Sequence, residues 1–197
     1  MGFLKRQWIW LKRFRHRKGY GVHSPFAFNF LTSVVYEHGE YYVYRELDER
    51  FGKNGRGINS HEMKCRKFLF RLANYVHPEI IGLYGTVPSD VSAYLASGCC
   101  SATVVSERQN LMREADSAKL LYITEHIAPS EWEEIVSQPM SALSVAVICG
   151  IHDSKKASQA WENVKRLAQV GVTFDLYDYG ILFYDLKKQK QHYIVNF

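Results

Sequence analysis

The chain has 197 residues, 47% hydrophobic and 14% aromatic, which is enough apolar surface for one packed domain with a small N-terminal appendage. It contains no run of 18 apolar residues, which excludes a membrane-spanning helix, and charges interrupting the first apolar stretch argue against a signal peptide. The net charge of +5 is uneven: residues 1–18 carry seven Lys and Arg and no acid, so a basic arm precedes a domain of net charge −2.

Residues 3–14 pattern as an amphipathic helix. Phe3, Leu4, Trp8, Trp10, Leu11 and Phe14 share one sector at 100° per residue. Lys5, Arg6, Lys12 and Arg13 occupy the other, with Ile9 the exception. Three occupants fit such a helix: its own domain or a twin subunit, an anionic membrane surface, and nucleic acid, which is the weakest of the three. Gly19 and Gly21 then make a loop. Ser24-Pro25 predicts a helix start, with the hydroxyl as N-cap and proline at the first helical position. Phe26, Phe30, Leu31 and Val34 follow at helical spacing. His23, just ahead of them, either anchors the loop or faces a pocket.

Glu37 to Asn59 is polar, aromatic and glycine-rich, and reads as a mobile connection. Ser60 is the expected cap of a helix running to Val76. Its predicted inner face is Cys65, Phe68, Leu69, Leu72 and Val76, with Lys64, Arg66, Lys67 and Arg71 toward water. The stretch from Pro78 to Glu107 is the organising unit. Ile80 to Tyr84 is a buried strand, Gly85 a turn, Pro88-Ser89-Asp90 a helix start and Gly98 its end, and Ala102 to Val105 the next strand. Glu107 stands 22 residues after Gly85, where nucleotide-binding folds place an acid for a ribose. Gly85 is the one glycine where a phosphate-type G-x-G-x-x-G turn needs three, so a plain structural crossover fits as well.

Lys119 to Ile123 reads as a strand, Ser130-Glu131-Trp132-Glu133 as a capping box opening a helix, and Leu143 to Cys149 as the most apolar strand. Ser154 caps a helix with Ala157, Ala160, Trp161, Val164 and Leu167 inward. Val172 to Leu176 and Ile181 to Tyr184, around Tyr179-Gly180, read as a hairpin, and the tail from His192 ends apolar. Cys65, Cys99, Cys100 and Cys149 show no C-x-x-C spacing. Reduced thiols of a cytosolic protein are therefore expected, and no metal site is read from the sequence.

Alternating strands and helices closed by a hairpin predict an α/β fold, an open sheet with helices on both faces. Two stretches carry a more specific likeness. The arginine-rich lead into GYGVHSPF, and the run IHDSKKASQAWENVKRL with VTFDLYDYGILFY, resemble a bacterial family of class I S-adenosylmethionine-dependent methyltransferases over nearly the whole chain from Arg15. The resemblance implies a Rossmann-like, mostly parallel sheet with a C-terminal antiparallel hairpin. It further implies a basic helix and helical lid segment over 1–60, ahead of a methyltransferase-type domain over 61–197. It places Gly85, Thr86, Ser89 and Glu107 at the cofactor-binding positions.

The departures from the family are as informative. The acid that closes the first strand is replaced by Leu83, the second loop glycine by Ser89 behind Pro88, the acidic tip of the fourth strand by Thr124, and an Asp-Asp pair by Cys149-Gly150. Only 11 residues, Arg108 to Ala118, follow Glu107, too few for the family's third strand and helix. The fold is expected to be one strand-helix unit short, with Ala102–Ser106 at or near a sheet edge. The expected function is a methyltransferase-like, non-catalytic protein with a degenerate site and no cofactor. It would act on a protein partner or as a homodimer, or by peripheral membrane contact through residues 3–14, in the cytoplasm or at the inner membrane face. The alternative is an active enzyme with an altered pocket, methylating O or N of a small molecule, with His23 or His152 as base.

Overall fold

The structure, a computed structural model, describes residues 3–16, 21–52, 59–106 and 117–197. Seven strands form one sheet: β1 Ile80–Tyr84, β2 Thr103–Val105, β3 Lys119–Ile123, β4 Val145–Cys149, β5 Val172–Asp175, β6 Tyr179–Phe183 and β7 Gln191–Ile194. Their order is β2-β1-β3-β4-β6-β5-β7. Four of the six pairings are parallel, and the two antiparallel ones both involve β6, so the sheet is mostly parallel with a C-terminal hairpin. This is a Rossmann-like α/β arrangement. Among the described residues β2 is one of the two edge strands, as the short segment after Glu107 led us to expect, and β7 is the other.

The central strands are apolar throughout because both faces are covered. Alternate residues of β1, β3 and β4 (Ile81, Leu83, Leu120, Tyr122, Val145, Val147, Cys149) join one core. Helices α2 (Pro25–Phe30), α4 (Ser60–Val76) and α5 (Ser89–Gly98) cover it. The intervening residues (Ile80, Tyr84, Leu121, Ile123, Ala146, Ile148) join a second core under α6 (Pro129–Val136) and α7 (Lys155–Arg166). Segment α2 continues as one π-helical turn, Leu31–Val35, and Phe30 packs against Phe174 and Phe183 at 4.5 and 5.2 Å between ring centroids. Residues 25–35 thus form part of the main core beside the hairpin.

Several local expectations are corrected. Residues 42–52 form a helix, α3, inside the segment expected to be a mobile connection. Its Tyr44 and Leu47 lie one turn apart and close a third small core with Phe70 and Tyr94, which outweighs its polar composition. Asn59, not Ser60, caps α4, its Oδ1 accepting from the His61 and Glu62 amides at 3.0 and 2.9 Å. Arg71 is buried and not solvated, donating to the Val34 carbonyl at 2.7 Å. Helix α6 starts at Pro129 with Ala128 at the N-cap and no side-chain cap, so the Ser130 box does not form. The tail supplies β7, parallel to β5, where Val195 is buried just past the strand. Strand β6 begins at Tyr179, which leaves Leu176 to Asp178 as the turn.

Helices α4 and α5 meet at Gly98, where an added Cβ would stand 2.3 Å from the Phe70 carbonyl oxygen and 2.8 Å from Ala73 Cβ. Gly98→Ala is expected to cost about 1–3 kcal/mol by overpacking, because backbone cannot yield as a side-chain tip can. A lower urea midpoint at unchanged slope would register that cost.

Candidate functional site

Strand β2 lies to one side of β1 and β3 to the other, so the chain reverses direction across the sheet at β1. Ligands of open α/β sheets bind outside the carboxyl ends of strands at such a reversal. A cavity of about 370 Å³ lies there, near the lower end of the usual size range for ligand sites. Its walls come from α4 (His61, Glu62, Cys65, Arg66), the start of α5 (Pro88, Val91), the ends of β3 and β4 (Tyr122, Glu125, Cys149, Gly150, Asp153) and the hairpin turn (Asp178, Tyr179). A larger hollow of about 790 Å³ has its described lining from residues 40–49 alone. Among the described residues no second element converges on it, whereas the strand-end cavity draws its walls from several elements and is the better site.

The turn after β1 is built for close approach. Gly85 has φ +86, and a Cβ there would fall 2.2 Å from Thr124 Oγ1, so both the backbone conformation and the missing side chain are required. Leu83 is buried in the core, and Thr124 is buried with its hydroxyl unpaired. Cys149 reaches the cavity, but burial pushes its thiol well above the ordinary range, so it stays neutral. Burial likewise keeps the Tyr122 and Tyr179 hydroxyls protonated. Carboxylates enter the cavity from one residue further along, at Glu125, and from Glu62, Asp153 and Asp178. At the α5 end, Asp90 is held by Arg66, whose Nε donates to Asp90 Oδ2 at 2.6 Å and whose Nη2 pairs with the same oxygen.

Of the residues expected to bind a cofactor, Gly85, Thr86 and Ser89 are exposed on the turn and the first turn of α5, and the cavity wall there is made by Pro88 and Val91. Glu107 lies outside the described residues. His23 is exposed ahead of α2 and His152 follows β4; neither lines the cavity. His152 is held in a second cluster. Its Nε2 pairs with Asp175 Oδ2 at 2.7 Å, its Nδ1 lies 3.3 Å from Ser158 Oγ, and its ring stacks on Tyr177. Arg13, at the end of α1 (Phe3–Lys12), pairs with Asp175 Oδ1 at 2.9 Å and donates to the carbonyls of Asp175 and Val195. Burial raises the Asp175 carboxyl, but the His152 hydrogen bond and the Arg13 charge outweigh it and hold the group below its ordinary value.

The arm is thereby docked, but with an unexpected face. Ile9, the residue that breaks the amphipathic pattern, lines the seam with Arg13, Leu176 and Asn196. Asn196 seals it, Nδ2 donating to the Trp10 carbonyl at 3.2 Å and the backbone N–H to the His16 carbonyl at 3.0 Å. Trp8, Leu11 and Phe14 stay 57, 65 and 39% exposed, so the apolar sector points outward, with the Lys12 ammonium over the Trp8 ring.

A third grouping has no counterpart in the sequence reading. His61 Nε2 lies 2.8 Å from Asp178 Oδ2 and 3.4 Å from Cys65 Sγ. Its only local signal is the i, i+4 spacing of His61 and Cys65; Asp178 is 117 residues away from His61.

No family model matches the sequence, and no curated protein matches it. Among solved structures the chain is similar to a structural-genomics crystal structure of a protein from Corynebacterium glutamicum. The two are 17% identical, with a TM-score of 0.47 over 81% of this chain and 98% of that one.

Proposed function

We propose that this protein is a methyltransferase-like scaffold with a degenerate cofactor site, and that it acts by binding an anionic membrane surface through α1. The outward apolar face of that helix carries the reading: Trp8, Trp10, Leu11 and Phe14 are exposed together on an arm whose sequence is basic and free of acids. The buried neutral groups at the tips of β1, β3 and β4 support the loss of the usual cofactor contacts. None of the described helices is long and apolar enough to cross a membrane, so the contact would be peripheral.

Vesicle co-sedimentation tests the membrane part. The 197-residue chain is expected to pellet with anionic and not with neutral vesicles, less so in high salt, and the Leu11→Glu variant is expected to stay in the supernatant. Equal pelleting with both vesicle types, or none, removes the reading. Titration with S-adenosylmethionine tests the cofactor part, with no binding expected at micromolar concentrations. The second reading, an active methyltransferase with an altered pocket, is favoured by Glu125 and Asp153, whose positions on the cavity wall could replace the lost acids. Micromolar affinity for the cofactor would promote it.

A further inference from the structure

We infer that His61, Cys65 and Asp178 form a Zn²⁺ site that opens onto the strand-end cavity. One ligand atom from each lies within 4.8 Å of the others. A tetrahedral zinc with Zn–N and Zn–O near 2.0–2.2 Å and Zn–S near 2.3 Å sets its N···S pair about 3.5 Å apart and its N···O pair about 3.4 Å apart. The observed N···S distance of 3.4 Å already fits, and the N···O distance of 2.8 Å needs to open by about half an ångström. His61 Nε2 faces both Asp178 and Cys65, and zinc would sit among these three atoms.

Charge and chemistry agree with this choice. One thiolate, one carboxylate and a neutral imidazole sum to two negative charges, matching a divalent cation. A sulfur ligand disfavours Mg²⁺ and Ca²⁺, while the mixed S, N, O set suits zinc.

The scaffold holds the ligands from two directions. His61 and Cys65 are one turn apart on α4, behind its Asn59 cap, so they share a face. Asp178 sits on the hairpin turn, where its carbonyl accepts from the Gly150 amide at 2.8 Å and Tyr177 adopts φ +74. The buried Tyr179, next to Asp178 on the turn, lines the same cavity wall as Cys65.

All three ligands line the cavity. A fourth position would therefore face the 370 Å³ space and be filled by water or by an exogenous carboxylate or thiolate. Three protein ligands with one open position is the arrangement of catalytic zinc sites, and closed structural sites use four. The site uses none of the expected cofactor residues, so it does not depend on the reading proposed above.

The test uses the tag-free 197-residue chain stripped with a chelator and then titrated with Zn²⁺ against a chromophoric competitor, and separately with Co²⁺. The expected result is one equivalent of zinc bound at submicromolar concentration, and a cobalt spectrum with visible ligand-field bands and a near-ultraviolet thiolate charge-transfer band. Cys65→Ser should abolish the charge-transfer band. Asp178→Asn, on a surface turn and so the safer variant for folding, should weaken zinc about 100-fold or more, at least the loss seen when an outer-shell partner is removed. Cys100→Ser, which changes the exposed thiol, should alter nothing. The site is refuted if zinc does not bind at micromolar concentration, or if Asp178→Asn and Cys65→Ser bind it as the parent does. The three residues would then be a hydrogen-bonded triad only.

Discussion

S-Adenosylmethionine titrated into this protein is expected to give no binding signal at micromolar concentrations. The cofactor carries a positive amine that an acid at the tip of β1 would meet in the methyltransferases this sequence resembles. Here Leu83 occupies that position and is buried in the core. Pro88 and Val91 wall the cavity where the loop backbone would approach the cofactor, and Asp90 is already committed to Arg66. Losing one charge-assisted contact costs about 1.5–3 kcal/mol. Two or three such losses weaken a micromolar site by roughly 10² to 10⁶, at tenfold per ~1.4 kcal/mol. Calorimetry with the cofactor and with its demethylated product measures this directly. A dissociation constant near micromolar that Glu107→Ala abolishes would overturn the expectation, and His23 and His152 would then be the first residues to replace.

Asp175→Ala is expected to be the most damaging change at the arm. It removes the partner of both Arg13 and His152, whose Nη2 and Nε2 atoms, respectively, lie only 3.2 Å apart and share that carboxylate. The Arg13 and Asp175 side chains are 13 and 12% exposed, so solvent replaces little of the lost contact. Breaking a buried pair by removing one member costs about 3–5 kcal/mol, and the lower figure suits this slightly solvated site. Urea denaturation would read the cost. Limited trypsin digestion would read the release of α1 as faster cleavage at Arg13 and Arg15. Unchanged stability with unchanged proteolysis would show that the clamp does not hold the arm.

The same pair predicts a pH dependence. The folded Asp175 carboxyl lies below its ordinary value of 3.8, so the folded state binds a proton there less readily than the unfolded chain. Its stabilisation is therefore complete above that ordinary value and is lost as pH falls through the folded value. Acid unfolding of the parent should include this component, and Asp175→Asn should lack it. A parallel pH profile for the two proteins below pH 3.8 would contradict the assignment.

What the sequence determined by itself is the centre of the sheet and its β2 edge. The runs Ile80–Tyr84, Lys119–Ile123 and Val145–Cys149 are legible because burial on both faces demands unbroken apolar residues, a signal contained within five positions. The Ser24 and Ser154 caps are legible for the same reason, as each hydroxyl meets an amide three residues on. The short connection after Glu107 is enough to place β2 at the edge. Tertiary structure alone decided the rest. Helix α3 looks polar until Tyr44 and Leu47 find Phe70 and Tyr94, and β7 is too short to register until β5 offers it an edge. Ile9 reads as a flaw in a helix until the tertiary structure sets it, half-buried, on the pocket that Leu176 also lines. Arg13 meets Asp175 across 162 positions, and His61 meets Asp178 across 117. Periodicity and propensity act within a few turns of chain, whereas the convergence of side chains from α1, α4 and the hairpin turn depends on how those elements pack around the carboxyl end of the sheet.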